Sequence, residues 1–171
     1  MLYVGLILWA VLPVLRLAGV ILVIAAVLNA WRLARWAGGA TLAEPLLFIL
    51  HIAYGWVVIG VALLGLSLLD VGVPVASAIH ALTAGAIGTM IIAVMPRVTL
   101  GHTGRDLTTN RSTIVIFILI NAAAIMRVAA SWNMGGMMIL LALSGICWIA
   151  AFGLFEIVYG PMLLTGRPAN T

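Results

Sequence analysis

The sequence predicts an all-α, polytopic transmembrane helix bundle with five spans, and three observations carry that expectation. Hydrophobic residues fill 65% of the 171 positions and charged residues only 7%, against roughly 25% charged in an average soluble domain. Mean hydropathy is +1.31. The apolar runs are continuous and about twenty residues long, which suits helices crossing a ~30 Å hydrocarbon layer; a membrane barrel would alternate with a period of two. A chain of this composition cannot cover its own surface in water, so its first partner is the lipid bilayer.

The formal charge of +4 comes from eight arginines, with no lysine. These arginines stand at the ends of apolar runs, where a membrane interface favours them, so the charge points to no nucleic acid partner. The one cysteine, Cys147, lies deep in an apolar run and reads as a small buried hydrophobe rather than part of a disulfide framework. The first segment is too long for a secretory leader and carries Arg16 where a small-residue cleavage site would be needed.

The chain is expected to form one transmembrane domain over 1–171. The first span is expected over approximately 8–30, with Pro13 near its start, where the missing N–H costs little. Trp31, Arg32, Arg35 and Trp36 follow as an interfacial belt, and Gly38-Gly39 breaks the helix. The second span, approximately 44–69, has Glu44 at the positive end of its dipole and places His51 and Tyr54 on one face. A short link from Asp70 to Val73 leads to Pro74 and the third span, approximately 74–98, which leaves the bilayer through Met95-Pro96-Arg97. Thr109 or Asn110 is positioned to cap the fourth span, 111–130, with Asn121 near its middle and Arg127 near its far end. Ser131-Trp132-Asn133 turns the chain into the fifth span, 137–164, where Glu156, Tyr159 and Pro161 lie toward the end.

Arg32, Arg35, Arg97, Arg105, Arg111 and Arg167 all fall on one side of this arrangement, while the links 70–73 and 131–133 hold no arginine. The positive-inside rule then puts the N-terminus outside and the C-terminus in the cytoplasm.

Ionisable residues inside a span are expensive and are functional candidates by default. They sort into two layers. Arg16, His80 and Arg127 lie toward the outer face, with Asp70 at the surface; His51, Glu156, Arg97, His102, Arg105 and Asp106 lie toward the cytoplasmic face. At 1.5 Å rise per residue, His51 and His80 each sit about 10 Å inside opposite boundaries, with roughly 10–15 Å between their depths. They are poor candidates for one shared metal, and each is a candidate ligand for something separate.

The stretch from His80 to Asp106 is the richest in such groups. Ala76, His80, Ala84 and Gly88 line one helical stripe, and Ala81, Gly85 and Thr89 line the next. Two readings stand side by side. Small residues at this spacing serve close helix packing, or a flat macrocycle lies on the face with the neutral imidazole of His80 as an axial ligand. His51 is either a core histidine bonded to Tyr54 or Glu156, or a ligand. His102, bracketed by Gly101 and Gly104, is either an ordinary exposed histidine or a ligand. Arg97 and Arg105 anchor the interface, or pair with haem propionates through bidentate bonds, with Arg16 and Arg127 as counterparts on the other side. No nucleotide loop, nucleophile with its base, or Cys/His zinc spacing is present.

The block His80-Ala-Leu-Thr-Ala-Gly-Ala-Ile-Gly-Thr-Met, with Met95-Pro-Arg and Leu100-Gly-His-Thr-Gly-Arg105, closely resembles the signature of the NnrS family. Further matches are Trp31-Arg32, Arg35-Trp36, Glu44-Pro45-Leu46, Leu50-His51 with Tyr54 and Trp56, and Tyr159-Gly-Pro-Met162. The resemblance implies a bacterial inner-membrane protein containing haem and copper, tied to denitrification and protection against nitric oxide. It makes His51, His80 and His102 the metal-ligand candidates, and His80, His51, Arg97 and Arg105 the cofactor-binding set. Family members are usually about twice as long, so the chain resembles their C-terminal half, and ligands from a missing N-terminal half would leave a shared site incomplete. Two functions follow as expectations. One is a haem or haem–copper protein acting in nitric oxide response or membrane electron transfer. The other is a non-catalytic accessory subunit packed against a larger respiratory or other membrane complex.

Overall fold

The structure is a computed structural model that describes residues 1–12, 16–36, 38–133 and 135–165. Pro13 and Arg167, which the sequence reading used, lie outside the described residues. The regular elements are helices: α1 (Leu2–Val11), α2 (Arg16–Ala34), a 3₁₀ turn (Gly38–Thr41), α3 (Pro45–Leu68), α4 (Val75–His80), a π-helical segment (Ala81–Ile87), α5 (Gly88–His102), α6 (Arg111–Ala130) and α7 (Met137–Leu164). Among the described residues, five continuous helices are long and apolar enough to cross a membrane, with α4, the π segment and α5 acting as one 28-residue rod.

The first apolar run differs from its expected single span of 8–30. It breaks into α1 and α2, so the first membrane-long helix begins at Arg16 and ends at Ala34. The reason is local. Leu12 precedes a proline, which disfavours the α region for that residue, and it adopts φ −132° and ψ 74°. α1 folds back along α2, with Gly5 against Leu22 and Ile21 and Leu2, Leu6 and Trp9 packed on the Leu22–Ala25–Ala26 cluster.

α3 lies between α2 and the rod. It approaches α2 with backbone near backbone: a Cβ on Gly19 or Gly65 would stand 2.9 Å from the carbonyl oxygen of the other. Small residues permit that approach, and hydrogen bonds then lock helix pairs where water is absent. Tyr54 Oη donates to Asn29 Oδ1 at 2.5 Å between α3 and α2. Trp56 Nε1 donates to Asn121 Oδ1 at 2.8 Å between α3 and α6. Ser144 Oγ donates to the Ala123 carbonyl at 2.8 Å between α7 and α6.

The rod runs past its expected exit. Pro74 is its N-cap rather than its first helical residue, and the helix continues through buried Pro96 to His102. It stops on a Schellman motif. Gly104 has φ 68°, its N–H reaches the Gly101 carbonyl at 3.2 Å, and the Arg105 N–H reaches the Leu100 carbonyl at 2.9 Å. The second glycine of the Gly-His-Thr-Gly bracket therefore serves as a left-handed helix stop.

Of the two expected caps for α6, Asn110 takes the role: its Oδ1 accepts from the Thr113 N–H at 2.8 Å and from Thr113 Oγ1 at 2.9 Å. Thr113 Oγ1 also meets Tyr159 Oη at 2.5 Å, and Tyr159 stacks on Phe155 at 5.1 Å. This network ties the start of α6 to α7 over a core of Ile92, Ile116, Ile120 and Phe155.

Candidate functional site

The residues singled out from sequence divide between the two ends of the bundle. At the arginine-poor end, His80 closes α4 and is half-buried. The π-helical segment begins on the next residue. Such wide turns are uncommon and recur at functional sites. Beside it lies a groove of about 480 Å³ lined by Thr83, Ala84, Arg127, Ser144, Gly145 and Trp148, among others. Thr83 and Ala84, which line the groove, stand three and four residues after His80 in the chain. Arg127 of α6 is half-buried and lines the groove. The hydroxyls of Thr83 and Ser144 already donate to the carbonyls of Ile79 at 2.7 Å and Ala123 at 2.8 Å. The guanidinium is thus the groove's charged group.

The small-residue stripes resolve largely in favour of packing. A Cβ on Gly85 would stand 2.5 Å from Trp56 Cδ2, and one on Gly88 would stand 2.6 Å from Trp148 Cη2. Ala81 and Thr89 are fully buried. The expected macrocycle therefore has no room on the Ala81–Gly85–Thr89 face, because the indole of Trp56 fills it. What remains open is the edge at Thr83 and Ala84, with Trp148 as its aromatic wall.

At the arginine-rich end, His51 Nδ1 lies 3.3 Å from the Leu47 carbonyl. Trp36 meets its ring edge-on at 6.1 Å, and Gly38 packs on its Cδ2. Neither expected partner engages it: Tyr54 bonds Asn29 instead, and Glu156 is exposed on α7. His102 is exposed and shares a groove with Leu50, Val94, Arg97 and Leu107. Arg105 Nη2 donates to Thr165 Oγ1 at 3.3 Å, while its Nη1 is buried with no hydrogen-bond partner among the described residues.

Arg97 lies seventeen residues after His80 on the same rod, which is about 25 Å along the axis. Arg97 and Arg105 therefore cannot pair with a group bound to His80, whereas Arg127 can. Among the described residues no three His, Cys, Asp or Glu side chains converge into a set that could hold a metal. Ser144, Gly145 and Trp148 carried no signal in the sequence; α7 brings them to the groove only because it packs on α6. Trp56 and Asn121, 65 residues apart in the chain, meet for the same kind of reason.

No curated protein and no solved structure matches the chain. A protein family does: the NnrS protein family matches residues 1–167. That match covers nearly the whole chain, including the histidine-bearing rod and both tryptophans packed on it. The chain therefore belongs to the NnrS family, with five membrane-length helices among its described residues.

Proposed function

We propose that this protein is a membrane haem protein of the nitric oxide response, with the haem held at the groove between the π-helical segment, α6 and α7. The observation that carries the reading is the π-helical segment that begins right after His80 and borders, through Thr83 and Ala84, the groove that Arg127 lines. The groove's volume of about 480 Å³ falls in the ~300–1,000 Å³ range of small-molecule sites. His80 would ligate the iron through neutral imidazole, and Arg127 would pair with a propionate. Trp148 offers an aromatic wall. The iron, when bound, would supply a coordination position for nitric oxide; the chain's part is to orient the group and keep water from it. Copper fits less well: His51 and His102 face different surroundings, and no set of three donors converges among the described residues. The reading therefore rests on haem alone. The arginine bias supports an orientation with the N-terminus outside and the C-terminus in the cytoplasm of a bacterial inner membrane.

The test is a reduced-minus-oxidised spectrum of the chain purified from membranes in mild detergent. A haem band is expected, and His80→Ala should abolish it while the protein stays in the membrane. An undiminished band in His80→Ala would refute the ligand assignment.

One observation favours the second reading, an accessory subunit packed against a larger complex. In α7 only 17% of the most apolar window is buried, against 50% in the rod. Co-purification of a stable partner without any haem band would select that reading.

A further inference from the structure

The α3–α6 side of the bundle carries a furrow that the proposed haem site does not use. Its head lies at the arginine-rich end, a space of about 470 Å³ where Glu44, Arg97, Thr108 and Thr109 converge. Pro45 and Ile114 line this space and also the top of a second hollow of about 460 Å³. That second hollow descends between α3 and α6 over Phe48, Ile52, Phe117, Ile118, Ala122 and Ile125. From Ile114 to Ile125 the trough runs eleven residues, about 16 Å, close to the ~15 Å depth of one leaflet's hydrocarbon.

We propose that this furrow binds one phospholipid, of the zwitterionic ethanolamine-headgroup kind. The apolar trough takes an acyl chain along its length. At the head, Arg97 and the hydroxyls of Thr108 and Thr109 meet the phosphate, and the Glu44 carboxylate meets the ammonium. Charge complementarity selects this headgroup. The lining of the head carries one cation, Arg97, and one carboxylate, Glu44. An anionic headgroup would leave Glu44 facing the phosphate with no ammonium between them. α3 and α6 both begin here, so their positive dipole ends also favour a phosphate. Arg97 sits five residues before the end of α5, at the depth where a long basic side chain reaches lipid phosphate.

The test uses the full chain in detergent micelles doped with equal amounts of phosphatidylethanolamine and phosphatidylglycerol, read by native mass spectrometry. The wild type should retain the ethanolamine lipid preferentially. Arg97→Gln, which removes a charge-assisted bond to the phosphate, should lower that retention roughly tenfold. Glu44→Gln should keep a bound lipid but move the preference toward phosphatidylglycerol. Ile118→Trp adds bulk at an exposed position over the trough and should reduce retention of both lipids; it decides the matter alone if Arg97→Gln does not fold. Retention unchanged in both Arg97→Gln and Ile118→Trp would overturn the proposal. So would displacement of the lipid by inorganic phosphate, or a non-phospholipid amphiphile in its place.

Discussion

Gly85 is where the packing of the bundle is most sharply testable. Its missing side chain admits the indole of Trp56: a Cβ would stand 2.5, 2.6 and 2.9 Å from Cδ2, Cε3 and Cγ. The ring cannot swing aside cheaply, because its Nε1 is held by Asn121 Oδ1 at 2.8 Å and Trp56 is 8% exposed. Carbon atoms prefer roughly 3.5–4.0 Å, so Gly85→Ala demands a shift of about 1 Å between α3 and the rod. Overpacking of that kind costs about 1–3 kcal/mol, and loss of the Trp56–Asn121 bond adds about 0.6 kcal/mol by the average for interhelical bonds in membranes. The expected destabilisation is about 1.5–3.5 kcal/mol. Gly153→Ala is the control, since a Cβ there meets nothing within 4 Å and alanine favours the helix by roughly 0.5–1 kcal/mol. Denaturation in mixed micelles, followed by tryptophan fluorescence, should show Gly85→Ala melting earlier and Gly153→Ala at or above wild type. The double variant Gly85→Ala with Trp56→Phe should show strong coupling, because the two residues touch. Equal stability of Gly85→Ala and Gly153→Ala would refute the reasoning.

Other predictions follow from single contacts. Gly104→Val forces a side chain into the left-handed stop of α5, at about 1–2 kcal/mol, and should lower the same unfolding midpoint; an unchanged midpoint would mean the stop is not strained. Asn110→Ala removes the α6 cap, expected to cost about 1 kcal/mol, and hydrogen exchange should rise first in the opening turn of α6. Arg127→Gln should weaken haem retention in detergent while leaving membrane insertion intact, whereas Arg97→Gln should leave haem retention unchanged. Equal effects of the two on haem would argue against the division of the bundle into two ends.

Much of this architecture was legible in the chain. Continuous apolar runs declare membrane helices because the energy of placing a residue in lipid depends mainly on its own side chain. Caps and stops are equally local, as Asn110 and Gly104 show. The break before Arg16 was partly legible too, through the proline that follows Leu12, although one long span was expected. The His80–Arg105 block also announced the family. Other features depend on which helix faces meet. Uniform helical spacing could not reveal the π turn after His80, which shifts the register of every later face. Nor could it place Trp56 and Trp148 in the hollows left by Gly85 and Gly88, since those indoles arrive from other helices. The two-layer separation of His80 from Arg97 was legible from helix rise alone, and they stand about 25 Å apart along one rod. Hydropathy and capping are properties of a segment, and the sequence by itself determines them; partners across helices are chosen by shape and hydrogen bonding between distant segments, and only the tertiary structure decides those.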